Sequence, residues 1–177
     1  MADLIDFNEF VRKKRGLTLA KWSENIGPRF DGTTRIKDLP DEILLVLAEG
    51  GNDGNALLDH MIMNAWGVSA RDARELDPSV RMMLLDLSLF LIDQFRFECM
   101  MRLGWTEPLP TREVPIAELV GGDQGSWKNL RKTPELKSDH THYHRFRKML
   151  KMEKETFLRR QIPAVLEQFR QRVRTRQ

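Results

Sequence analysis

Residues 77–104 read DPSVRMMLLDLSLFLIDQFRFECMMRLG, a long apolar run bounded by an aspartate at one end and a glycine at the other. Asp77 is a good helix cap, Pro78 suits a first helical position and Gly104 is a stop, so the spacing predicts one helix from Pro78 to Leu103. At about 100° per residue, Asp86 and Asp93 share nearly one face, Glu98 and Arg102 lie well away from them, and apolar side chains fill both arcs between. A helix that is apolar on several sides needs neighbours on several sides. It should therefore run through a core. Its most apolar run, Met82 to Ile92, spans 11 residues and includes Asp86, whereas crossing a bilayer takes about 20.

Shorter helices are expected on its N-terminal side. Asp6 introduces Phe7, Phe10 and Val11 before the basic run Arg12 to Arg15 and Gly16, and Thr18 introduces Leu19, Trp22 and Ile26 before Gly27-Pro28. Pro40 opens a third with Ile43, Leu44, Val46 and Leu47, ending at Gly50-Gly51; Gly54-Asn55 opens a fourth with Leu57, Leu58, Met61 and Ile62, ending at Gly67. Helices this short are marginal alone, so packing must hold them. C-terminal to the central helix, Pro108, Pro110 and Pro115 break the stretch from Trp105 to Trp127 into a connector, with one short helix at Ile116 to Val120.

A long final helix is expected from Asp139 onward. Phe146, Leu150 and Phe157, with Met149 beside them, form its first apolar stripe, and Ile162, Val165, Leu166, Phe169 and Val173 continue it. Pro163 lacks an amide donor, so a kink or restart is expected near Gln161. The fold class is thus all-α: an irregular helical bundle with a long central helix and a long basic C-terminal helix.

Charge is divided along the chain. Residues 128–177 hold 15 Lys and Arg against 5 Asp and Glu, whereas residues 1–127 hold 14 against 21. The chain therefore divides into an acidic helical body, 1–127, ending in the Pro/Gly-rich connector, and a basic helical segment, 128–177, packed into the same domain. A length of 177 residues, 41% hydrophobic and 31% charged, suits one domain with a substantial core. Cys99 is the single cysteine, which excludes an intrachain disulfide and a cysteine-rich metal site and fits a buried structural thiol. The opening MADLIDFNEF carries acids where an export signal needs a basic and then an apolar stretch, so a cytoplasmic setting is expected.

The chemistry of the segregated charge allows three readings. The first is a non-catalytic adaptor or assembly protein that binds a protein partner of acidic or mixed surface. Its contacts would be the apolar Phe146, Leu150 and Phe157 with the cations Arg145, Arg147, Lys148 and Lys151. The second uses His140, His142 and His144. On a helix starting at Asp139, His140 and His144 stand one turn apart and offer two neutral imidazoles to a divalent metal such as zinc, and such a site could serve a metal enzyme. No cofactor is otherwise indicated, and the sequence contains no HExxH motif. The third is non-specific nucleic-acid binding through phosphate contacts from Lys128, Arg131, Lys132 and Lys137 onward, although no reading element is recognisable.

Other signals have plain structural explanations. Asp86 and Asp93 stand about 10 Å apart on one face, too far for joint chelation and better suited to ion pairing, Asp93 with Arg96. The turn Gly50-Gly51-Asn52-Asp53-Gly54 lacks the lysine of a phosphate-binding loop, and Ser69, Ser88 and Ser126 lie in no nucleophile motif. His60, beside Asp59, reads as scaffold. Trp22, Trp66, Trp105 and Trp127 read as packing residues.

Overall fold

The computed structural model describes residues 32–67, 75–121 and 129–175. The two helices expected before residue 29 lie outside them, as do Ser69, Ser126 and Trp127. The described helices are α1 (Asp41–Glu49), α2 (Asn52–Ala65), α3 (Pro78–Arg102), α4 (Ile116–Gly121), α5 (Tyr143–Phe146) and α6 (Lys151–Thr175), with 3-10 turns at Ile36–Asp38 and Pro110–Glu113. This is an irregular all-α bundle around a long central helix, closed by a long basic C-terminal helix.

Helix α3 starts and stops where its local chemistry dictates. The Asp77 carboxylate accepts from the Ser79 amide at 2.9 Å, Pro78 takes the first position, and Gly104 lies just beyond with a φ of 82°. Helices α1, α2 and α6 and both 3-10 turns pack on it. The core joins Leu44 and Leu47 of α1, Leu58, Met61 and Ile62 of α2, and Leu87, Leu91 and Phe95 of α3 to Val165 and Phe169 of α6. The acidic body and the basic segment therefore share one hydrophobic cluster. One row of α3 stays outside it: Met82, Leu85 and Leu89, three and four residues apart, are exposed.

Helices α1 and α2 approach closely at Gly54, where a Cβ would stand 2.5 Å from the Val46 carbonyl oxygen. Gly50 ends α1 in the left-handed region, with a φ of 62°. Helix α1 begins at Asp41, with Pro40 as its cap rather than its first residue, and α2 already begins at Asn52, ahead of Gly54. Among the described residues the connector's backbone makes isolated bridges at two places without forming a sheet. Ile116 donates to the Thr34 carbonyl, the Glu107 amide donates to the Glu135 carbonyl and the Lys137 amide to the Trp105 carbonyl, each at 2.9 Å.

The C-terminal helix differs from its expected form. It begins at Lys151, not Asp139, and the preceding stretch holds only the single turn α5 and a non-helical elbow from Arg147 to Leu150. The cause is packing. A continuous helix would hold Phe146 and Phe157 about 16 Å apart along its axis, but the elbow brings their rings to 5.6 Å, edge to face, with Phe146 completely buried. Glu153 sets the new start by accepting from the Leu150 amide at 2.7 Å, half of a capping box. Beyond it α6 passes through exposed Pro163 as one helix and does not restart at Gln161.

The arginines of the last turns face the acidic body. Arg170 pairs with Glu49 at 2.7 Å, and Arg172 reaches Asp41 at 3.1 Å and the Arg102 carbonyl at 2.6 Å. Asp41 also receives Arg102 at 2.7 Å, and Arg102 and Arg112 both hold the buried carboxylate of Glu98. Burial alone would raise the Asp41 pKa, but hydrogen bonds from Arg102 and Arg172 outweigh it and hold this carboxyl below its ordinary value. Part of the basic surplus thus neutralises carboxylates of the same molecule.

Candidate functional site

The elbow before α6 shapes a surface groove. Arg145 and Lys148 come from α5 and the elbow, Met149 from the elbow itself, and Met152, Thr156 and Arg160 follow at intervals of four along α6. Four-residue spacing puts the last three on one helix face. Phe157 and Glu153 complete the lining of a concavity of about 520 Å³. Met152 is 79% exposed and Leu150, at the elbow, 74%. Met152, so open to water and lining the groove with Met149, Phe157, Arg145, Lys148 and Arg160, gives it a soft apolar floor with a cationic rim.

The structure divides the residues that the sequence singles out. Phe146 lies in the core, Phe157 is half-buried and lines the groove, and Leu150 is exposed at the elbow but is not among the residues lining the groove. Arg145 and Lys148 line the groove, whereas the Arg147 guanidinium stands over the Tyr143 ring, 5.9 Å from its centre. Lys151 lines a different cleft, between α3 and α6. Met152 and Thr156 are additions that the sequence pattern does not single out, and Arg160 is read there only as one of the cations from Lys128 onward. The four-residue spacing of these three is visible there, but only a helix starting at Lys151 gives it a meaning.

The histidines are built into an aromatic row. His140 sits 5.1 Å from Trp105 and 5.7 Å from His142, and His142 lies edge-on to Phe157 at 5.6 Å. His140 Nδ1 accepts from the His142 amide at 3.1 Å, so that nitrogen is engaged by backbone, while His144 turns to Tyr143. Burial pushes the His140 pKa down, His142 adds to the shift, and Asp139 opposes it. Asp139 lies in a turn and does not cap a helix. Among the described residues no three His, Cys, Asp or Glu side chains converge as a metal would require.

Other candidate groups take structural partners. Ser88 donates to Asp59 across the α2–α3 interface at 2.7 Å, and the Trp66 indole donates to the Val120 carbonyl at 3.1 Å. Asp93 stands 3.7 Å from both Arg96 and Arg159, and Lys154 pairs with Glu135 at 2.7 Å. Among the described residues no helix is long and apolar enough to cross a membrane. Comparison of the chain with protein-family models, with curated proteins and with solved structures returns no match.

Proposed function

We propose that this chain is a non-catalytic adaptor or assembly protein that holds an acidic amphipathic segment of a protein partner in the elbow groove. Its setting in this reading is the cytoplasm. The observation that carries the proposal is the exposure of Met152 in a groove that Arg145, Lys148 and Arg160 also line. Unbranched methionine side chains adapt to an incoming apolar face, and the cations around them favour carboxylates on its flanks. Such a rim accelerates encounter and rejects basic partners, so binding should weaken with salt.

Deleting the basic segment would not test this, because Phe146, Val165 and Phe169 belong to the core. Surface substitutions do. A partner captured from native cells with the wild-type chain should be identified, purified and titrated against Met152→Glu and against Arg145→Glu combined with Lys148→Glu. Each variant is expected to lose at least about tenfold in affinity, ~1.4 kcal/mol, with thermal unfolding unchanged. Wild-type affinity in both folded variants would overturn the reading.

A further inference from the structure

Helix α6 lines two cavities with adjacent stripes. Met152, Thr156 and Arg160 face the elbow groove, while Lys151, Glu155 and Arg159 face a cleft of about 290 Å³ against α3 and residues 131–133. The two linings share no residue, so the cleft can bind a ligand whether or not the groove holds a partner.

The cleft has an apolar wall and charges of both signs. Exposed Leu89 and half-buried Phe97 of α3 form the open part of the wall, and buried Phe90 lies behind them with the Arg131 guanidinium 5.8 Å from its ring centre. Four cations, Arg131, Lys132, Lys151 and Arg159, line it together with three carboxylates, Asp86, Asp93 and Glu155. Glu155 already accepts from the Thr133 hydroxyl at 3.1 Å. Asp93 is less well served. Its side chain is only 28% exposed, yet Arg96 and Arg159 both stay 3.7 Å away, beyond hydrogen-bonding distance. A carboxylate so drawn from water gains from a close ammonium donor. Lys132 and Lys151, both exposed at the cleft, form no ion pair among the described residues.

A simple anion would meet the three carboxylates, and a simple cation the four basic groups. From this lining we infer that the cleft between α3 and α6 binds a small apolar zwitterion, a free α-amino acid with an aromatic or branched aliphatic side chain. The ammonium group lies against Asp93, the carboxylate between Lys132 and Lys151, and the side chain on Phe97 and Leu89. The volume suits one such molecule, at the lower end of the range for ligand pockets.

Calorimetric titration of the full chain with L-phenylalanine and with L-leucine tests this, with phenethylamine and 3-phenylpropionate as the analogues lacking one charge. At least one amino acid should bind, and each analogue should bind at least about tenfold more weakly. Asp93→Asn and Lys132→Ala should each weaken the amino acid by a similar factor while unfolding cooperatively. No binding of either amino acid up to about 10 mM, analogues that match the amino acid, or wild-type affinity in both folded variants would overturn the inference.

Discussion

Arg112 grips Glu98 through two hydrogen bonds, Nε to Oε2 at 2.9 Å and Nη2 to Oε1 at 3.1 Å, and thereby ties the connector to the central helix. Arg102 adds a third bond to the same carboxylate at 3.0 Å, and the Glu98 side chain is 2% exposed. A buried charge is tolerable only when it is answered in this way. Glu98→Ala leaves both guanidinium groups short of their partner inside the fold and should lower stability by about 3–5 kcal/mol. Urea unfolding checks this; a loss below about 1 kcal/mol would show that the cluster contributes little.

Gly54 reverses the usual effect of alanine in a helix. Replacing a helical glycine by alanine normally gains about 1 kcal/mol, but here the new Cβ meets the Val46 carbonyl at 2.5 Å, a backbone atom that cannot swing aside. Gly54→Ala should therefore destabilise by about 1–3 kcal/mol. Gly51→Ala, where nothing lies within 4 Å, is the control and should change little. Equal stability of the two variants would contradict the close approach of α1 and α2.

Burial raises the Asp93 carboxyl above its ordinary value, although Arg159, Arg96 and Arg131 pull it down. A raised acid binds its proton more readily in the folded state, so its contribution to stability grows as pH falls through the folded pKa. At neutral pH the charge is a cost. Asp93→Asn should raise the urea midpoint at pH 7, and the gain should shrink toward pH 4. A variant less stable than wild type at pH 7 would refute this account.

Burial pushes the Cys99 thiol up to about 12, and the residue has no exposed surface. A thiol without thiolate character or access is inert. Ellman's reagent at pH 8 should leave the folded protein untouched and react fully once denaturant is added. Rapid modification under native conditions would show that α3 opens readily around this position.

For His140 the shift has the opposite consequence. Burial lowers its pKa below the ordinary 6.5, so between that value and the folded pKa the unfolded chain binds more protons. Stability should therefore fall as pH drops through this window and level off below the folded pKa. Thermal unfolding from pH 7.5 to 5 should show a decline that His140→Gln reduces. An identical pH profile in the variant would remove His140 as its source.

Legibility in the sequence follows the range of the interactions. Helix α3 can be read to within a residue, because Asp77, Pro78 and Gly104 act on their immediate neighbours. The elbow at Arg147 to Leu150 is not legible, because it exists to place Phe146 under Phe157. Pro163 breaks less than its chemistry alone suggests for a related reason: the burial of Leu158, Val165 and Phe169 on both sides of it holds α6 together. The charge segregation is plain, but not that Arg170 and Arg172 turn to Glu49 and Asp41. Of the groove, Arg145, Lys148 and Phe157 are visible as a basic and apolar mixture; Met152 and Arg160 need the correct helix start.

The bond between Arg172 and Asp41 joins positions separated by 131 residues. Synthesis delivers Asp41 long before its second guanidinium, and Val165 and Phe169 reach the ribosomal exit at the same late stage. A nascent chain halted before α6 therefore presents an unfilled apolar seam on α1 and α3. Cooperative folding has to wait for the basic helix, and until then that seam stays open to water.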